Sequence, residues 1–317
     1  ELAQNNFDIL NFPSFIGGGQ HLRLRTELGA HKKSYEIGFT EPWLFDRPLS
    51  FGFDIYNREW ERSDYDEIRK GYDLRLGHPL AQDNYVSVMF KQEQVDINIT
   101  DAVNVNTEIS SEQGEKVIHS LTYAFTRDTR DSFQLTTDGY KLLFSIEQSG
   151  GVIGGDIDTI KYFSMIDHFF EIPFLDKWVF ESKARAGSID RYEDTHTIPF
   201  YERFFAGGAT TVRGYEERSV GPKGANFDPI GGASLAVLNA EITFPLLESI
   251  RGAVFADAGN VWTGSNDWDL GDLKKSAGFG VRVKTPFGEI KLDYGFAFNN
   301  EAYEDDSRLH FSMGGTF

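Results

Sequence analysis

The chain has 317 residues, 15% of them aromatic, with 32 glycines, three methionines and no cysteine, a profile that suits sheet and turn and excludes disulfide frameworks and thiol-based metal sites. Its 31 basic and 49 acidic side chains give a net charge of −18, which argues against nucleic acid as a partner, because phosphate binding needs a surplus of Lys and Arg. No run of about 18 apolar residues occurs, so no transmembrane helix is expected.

A transmembrane strand is a different matter. It needs only every second residue to be apolar over about ten positions, a signal that averaging hides, so the mean hydropathy of −0.37 does not bear on it. Glu1 begins no signal-peptide pattern, and the sequence reads as mature or shortened.

In chain order, strands are expected near 1–7, 20–29, 33–41, 49–59, 67–77, 84–98, 116–127, 139–149, 160–171 and 177–188, and again near 234–244, 250–259, 275–284, 288–298 and 308–317, about 15 in all. Early on, Leu22, Leu24, Thr26 and Leu28 alternate with His21, Arg23, Arg25 and Glu27. Tyr35, Ile37 and Phe39 oppose Ser34, Glu36, Gly38 and Thr40, and Leu49, Phe51, Phe53 and Ile55 oppose Ser50, Gly52, Asp54 and Tyr56. Later, Trp178, Phe180, Ser182, Ala184 and Ala186 oppose Glu181, Lys183 and Arg185. Phe279, Val281 and Val283 oppose Arg282 and Lys284, and Ile290, Leu292, Tyr294, Phe296 and Phe298 oppose Lys291, Asp293 and Gly295. The period is two throughout, the period of a pleated strand.

A soluble sandwich also alternates, with its apolar face turned to a second sheet. The aromatic content of the apolar face and its repetition along the whole chain favour a transmembrane antiparallel β-barrel, apolar outside and charged within, as one domain spanning 1–317. Short turns such as "TTDGY" (136–140) and "TPFGE" (285–289) alternate with longer polar ones such as 100–115 and 299–307. That is the periplasmic and external alternation of an outer-membrane barrel. Such single-chain barrels have an even number of strands, so the odd count implies one more strand upstream of Glu1. On this reading an arginine at Leu292 should be costly and one at Asp293 of little consequence. "GGVIGG" (150–155) lacks the Lys-Ser/Thr and the helix of a phosphate loop, and reads as a flexible external loop.

The exception to the alternation is 189–233, which carries "RFFAGGATTVRGYEERSVGP" (203–222). A loop so long is functional or disordered, and this one is too aromatic and too patterned for disorder. Gly207, Gly208 and Gly214 let it turn sharply and approach a wall. In "ASLAVLNAEITF" Glu241 shares a face with Val237, Asn239 and Thr243, and in "RGAVFADAGNVW" Phe255, Asp257 and Gly259 share a face. The two carboxylates are either solvated lumen charges or a receptor for a guanidinium, whose planar fork matches carboxylate geometry. Arg213 is the candidate guanidinium. The last strand sets Leu309, Phe311, Met313, Gly315 and Phe317 on one face and ends in an aromatic residue.

"GGATTVRGY" together with "FADAGNVW" resembles the barrel of the outer-membrane assembly insertases, the BamA family. "QNNFDILNF" (4–12), "GFTEPWLFDRPLSFGF" (38–53) and "PFYERFFAGGATTVRGYEERSVGP" (199–222) extend the resemblance over essentially the whole chain. The resemblance implies a barrel of about 16 strands with the first one missing here, and periplasmic repeat domains that this chain lacks. It implies a loop at about 189–233 that re-enters the barrel with Val212, Arg213, Gly214 and Tyr215 at its tip. Glu241 and Asp257 would be the wall partners of Arg213, supported by Phe255, Gly259, Gly207 and Gly208. Phe311 and Phe317 would form the terminal-strand signal that assembly machinery reads.

For catalysis the sequence offers little: the seven histidines are dispersed, with neither H-E-x-x-H nor G-x-S-x-G. No enzyme, cofactor or metal is expected. The function that the resemblance implies is insertion and folding of β-barrel proteins in the bacterial outer membrane, through a seam between the first and last strands that opens sideways. Its partners would be unfolded outer-membrane proteins as clients, accessory lipoproteins of the machinery, periplasmic chaperones and outer-membrane lipid, with no nucleic acid. A polypeptide translocation pore of the same superfamily and a passive diffusion channel are the alternatives.

Overall fold

A computed structural model describes residues 2–8, 17–133, 135–224, 227–285, 288–301 and 305–314. Residues 9–12 of "QNNFDILNF", together with Gly315 and Phe317 of the last predicted strand, lie outside them. Fifteen strands run in sequence order: β1 (Leu2–Phe7), β2 (Gln20–Leu28), β3 (Lys32–Glu41), β4 (Ser50–Glu61), β5 (Tyr65–Ala81), β6 (Asn84–Ile99), β7 (Gly114–Asp128) and β8 (Gly139–Ser149). They continue as β9 (Thr159–Glu171), β10 (Val179–Arg191), β11 (Ser234–Leu247), β12 (Ile250–Trp262), β13 (Lys274–Thr285), β14 (Gly288–Ala297) and β15 (Ser307–Gly314). Sheet order equals chain order from β1 to β15, the arrangement that short hairpin connections produce. Helix among the described residues is confined to short turns, of which Thr107–Ser110 is α-helical and capped by Asn106, whose side chain accepts from the amide of Glu108.

Several strands run past their expected ends. β5 covers 65–81 rather than 67–77, because β4 pairs with it from Asp66 to Gly77 and β6 from Tyr65 to Ala81. β10 reaches Arg191, and β11 runs through Pro245, which pairs with Arg251 just before a register shift. A bulge is where a strand tolerates proline.

The residues fall into two compact units. The first comprises 1–125, 145–161 and 191–197. Its polar face is an ion-pair lattice: Arg23 bridges Glu36 at 2.5 Å and Asp54 at 3.1 Å, Arg58 adds a bond to Glu36 at 2.9 Å, and Arg75 also holds Asp54. Beside it, Tyr56 donates to Glu93 at 2.8 Å, and Arg69 joins Glu93 to Glu67. On the opposite face Ile37 and Ile55, paired across β3 and β4, are about half exposed.

"GGVIGG" is in the first unit, and it is not the flexible loop its glycines suggest. It forms a tight 3-10 turn in which the Gly151 amide donates to Asp158 at 2.7 Å. Tyr192 donates to the Ser149 carbonyl at 2.7 Å, and the His119 ring lies 3.0 Å from the Ile153 carbonyl. Gly150 (φ 78°) is needed for close approach, since a side chain there would strike Asp158 and Ile157.

The second unit comprises 126–144, 162–190 and 198–317. It too is inverted relative to a soluble protein: Leu292 is 44% exposed and its neighbour Asp293 only 3%, Phe279 is 55% exposed and Arg282 only 2%. Residues 198–224 and 227–233 are joined to themselves by isolated bridges at Phe204–Gly232, Ala206–Val220 and Lys223–Pro229, and Thr211 and Arg213 of this segment meet the polar face at Asn239 and Asp257. Ala206, Val212, Tyr215 and Val220 of this loop pack with Leu235 and Val237 of β11 and Val261 of β12 into the apolar core of the unit.

Candidate functional site: the loop tip and the charged wall

The strand register builds the wall before the loop arrives. Asn239 of β11 stands opposite Asp257 of β12, and Glu241 opposite Phe255. Asp257 and Glu241 are therefore diagonal neighbours on one face, within reach of a single long side chain. On the strands that follow, Asp293 of β14 pairs with Gly280 of β13 and with His310 of β15. With no side chain at Gly280, the Asp293 carboxylate and the Arg282 guanidinium share the space above it.

The loop reaches this wall by a turn at Gly207 (φ 102°), closed by the Thr211 hydroxyl, which lies 2.8 Å from both the amide and the carbonyl of Gly207. Gly208 (φ 96°) continues the turn over Glu217. Val212 is fully buried, with Gly259 leaving room for it on β12.

Arg213 then makes a two-pronged contact with Asp257: Nε to Oδ2 at 2.8 Å and Nη2 to Oδ1 at 2.9 Å, with its own amide adding a bond to Oδ2 at 3.0 Å. Its Nη1 donates to Glu241 Oε2 at 2.5 Å and lies 3.5 Å from Asp293. The guanidinium centre is 3.5 Å from the centroid of the Phe255 ring, a cation over a π face in a desolvated setting.

Arg282 repeats the fork from the other side. Its Nε and Nη2 donate to the two oxygens of Glu241 at 2.9 and 2.7 Å, and its Nη1 donates to Asp293 at 2.6 Å. Asn239 steadies Asp257 with a bond at 2.9 Å and donates to the Thr211 carbonyl at 2.6 Å. Two guanidiniums and three carboxylates thus form one connected lattice in which every member is at least nine-tenths buried. Unpaired charges could not persist at that depth. Burial would push the Arg213 guanidinium down, but its bonds to Asp257 and the charge of Glu241 outweigh this and hold it above its usual value. It stays a cation at every working pH.

Gly214 (φ 90°) lies backbone to backbone on β14: a Cβ there would sit 3.1 Å from Gly295 and 3.2 Å from Phe296, and a Cβ on Gly295 would sit 2.6 Å from the Gly214 nitrogen. The Gly214 amide donates to Nε2 of His310 at 2.9 Å. Tyr215 is 2% exposed, its hydroxyl 3.2 Å from the Lys275 carbonyl and 3.1 Å from the Asn299 side chain.

The structure thus brings together Val212, Arg213, Gly214, Tyr215, Glu241, Asp257, Phe255 and Gly259, with Gly207 and Gly208 in the turn behind them. Phe311 is elsewhere, 66% exposed on the outward face of β15, and Phe317 lies outside the described residues. The expectation for Asp293 needs correction. It is no tolerant lumen position, because it anchors Arg282 at 2.6 Å and an arginine there would oppose two others. Sequence reasoning also passed over Arg282, Asn239, Gly295 and His310 as members of the site. The period-two alternation does put each of them on the polar face, which was the available signal.

Residues 14–317 match the family model of the Omp85 superfamily domain. The chain belongs to the Omp85 superfamily. Among its Omp85 relatives, the outer membrane protein assembly factor BamA of Nitratidesulfovibrio vulgaris is 28% identical over 310 residues, covering 96% of this chain and 39% of that protein. The outer membrane protein assembly factor BamA of Neisseria meningitidis is 24% identical over 358 residues, covering 96% of this chain and 44% of that protein. The chain therefore spans less than half the length of either relative. The crystal structure of BamA from Haemophilus ducreyi lacking POTRA domains 1–3 superposes with a TM-score of 0.80 at 20% identity, covering 96% of this chain and 66% of that one. This Omp85 chain has the fold of the BamA barrel, as its alternation and its resemblance to that family predict.

Proposed function

We propose that this chain inserts and folds β-barrel proteins in the bacterial outer membrane, as the integral membrane subunit of an assembly machinery. The observation that carries the reading is the similarity of 96% of the chain to each of two outer membrane protein assembly factors. The physical route is strand addition. In the sheet order β15 has β14 as its one neighbour among the described residues, and an edge strand offers unpaired N–H and C=O groups to an incoming strand. The Arg213 lattice keeps the polar face behind that edge in one arrangement while client strands pair and leave. Unfolded outer-membrane proteins are the clients in this reading, with accessory lipoproteins and periplasmic chaperones delivering them and outer-membrane lipid receiving them. The work is done by binding energy and needs no catalytic group, metal or cofactor.

The test is reconstitution. Proteoliposomes holding this chain, alone and joined to the periplasmic repeat domains of a BamA relative, should speed the folding of a urea-denatured outer-membrane barrel over empty liposomes. Folding no faster than in empty liposomes, with the chain itself shown to be folded, would refute the reading.

A further inference from the structure

His310 sits on β15 directly across from Asp293, 7% exposed, with its Nε2 accepting the bond from the Gly214 amide. To accept there the ring must be neutral with its proton on Nδ1. We propose that His310 is a positioning residue: a protonation-sensitive latch that ties the tip of the loop to the terminal strand.

The groups facing the ring decide what a proton placed on it would meet. Arg213 approaches from the loop, Arg308 from two positions back on β15, Asp293 from β14 and Asp257 from β12. Arg282 of β13 and Glu241 of β11 stand behind them, already committed to Asp293 and Arg213. A proton on Nε2 converts the acceptor into a donor, so two N–H groups then point at one another and the Gly214 bond is lost. The new positive charge also repels Arg213 and competes with Arg213 and Arg282 for Asp293. Both effects push the tip away from β15. A further side-chain tie between them is Arg308 to Glu216 at 3.5 Å, with Glu216 well exposed. A long, solvated pair of that kind is weak.

The consequence goes beyond strand insertion itself. The backbone of β15 would be held against the loop when His310 is neutral and released when it is charged, so the mobility of the edge strand would follow local pH.

Hydrogen–deuterium exchange on the 317-residue chain in lipid nanodiscs tests this without any folding assay, and so independently of the proposed function. Protection is read on peptides covering 209–217 and 307–314, corrected for the intrinsic pH dependence of exchange, at about pH 8 and about pH 5, either side of the usual histidine range. Wild type should lose about tenfold in protection at the Gly214 amide on acidification, the scale of one lost hydrogen bond. His310→Gln, whose carbonyl accepts but does not titrate, should stay protected at both values. His310→Leu should be unprotected at both. Loss in wild type but not in the glutamine variant supports the latch, even if the leucine variant does not fold. Wild type and His310→Gln behaving alike, both keeping protection or both losing it, overturns it.

Discussion

Arg213 and Asp257 are joined by three hydrogen bonds, two from the guanidinium and one from the backbone amide of the same residue. The third bond matters most for the loop. A side-chain fork alone could be satisfied with the loop backbone at many distances from the wall, whereas a bond from the amide fixes the main chain within 3.0 Å of a β12 carboxylate. Charge recognition and backbone placement are thereby a single event.

Arg213→Ala should destabilise the protein strongly. It leaves Asp257 and half of Glu241 buried without their cation, a change that costs roughly 3–5 kcal/mol where water is excluded and less where it enters. Arg213→Lys should recover only part of this, since an ammonium cannot span both Asp257 oxygens and Glu241 together. Urea unfolding followed by tryptophan fluorescence separates the cases. Two variants indistinguishable from wild type would mean that the lattice does not hold the loop.

Gly295→Ala tests the close approach without touching any charge. Its Cβ would lie 2.6 Å from the Gly214 nitrogen and 3.0 Å from the Arg213 carbonyl carbon, and both are backbone atoms that cannot rotate aside. The loop tip must retreat, at a cost of roughly 1–3 kcal/mol. Limited proteolysis of the segment 198–233 should be faster in this variant than in wild type. Gly29→Ala, whose Cβ would meet nothing nearer than the Lys32 carbonyl at 3.6 Å, should leave the rate unchanged.

Much of the architecture was legible in the sequence because a pleated strand imposes period two whatever surrounds it. Strand ends were less legible: the length of β5 is set by how far β4 and β6 pair with it, which no local pattern encodes. The site divides in the same way. Glu241 and Asp257 could be placed on one face from their own strands. Joining Arg282, Asp293 and His310 to them required the register across β13, β14 and β15. Gly295 was out of reach for another reason, since a glycine in a strand announces a close approach but not what approaches. "GGVIGG" misled because glycine content measures backbone freedom, while two of the bonds that restrain it and the adjoining Ser149, from His119 and Tyr192, come from distant sequence.

The turn between β7 and β8 should respond to acid. Asp131 accepts from the Thr137 amide at 2.9 Å, the Thr137 hydroxyl at 2.7 Å and the Asp138 amide at 3.2 Å. Burial would raise its carboxyl, but the Thr137 bonds outweigh this and hold it below its usual value. A carboxylate depressed by folding contributes stability above its unfolded pKa of about 3.9, and that contribution is lost as pH falls through the folded value. Amide exchange at Thr137 and Asp138 should therefore be slow at neutral pH and accelerate beyond the intrinsic trend below about pH 4. In Asp131→Ala it should be fast at both. A wild-type turn insensitive to acid would show that Asp131 does not hold it.

The exposed apolar face should be the lipid face, and β14 offers adjacent positions that decide it. Leu292 is 44% exposed among apolar neighbours, paired with Val281 on one side and Phe311 on the other. Lys291, one residue earlier, points to the polar face, where it already carries a positive charge and an ion pair to Glu289 at 3.3 Å. Leu292→Arg should cost roughly 2–4 kcal/mol if the residue is near the bilayer midplane, whereas Lys291→Arg should cost almost nothing. Asp293 cannot serve as the control, since its carboxylate binds Arg282. Refolding into lipid vesicles, with the folded fraction read by heat-modified gel mobility, gives the comparison. Equal penalties at 291 and 292 in vesicles would reverse the assignment of faces.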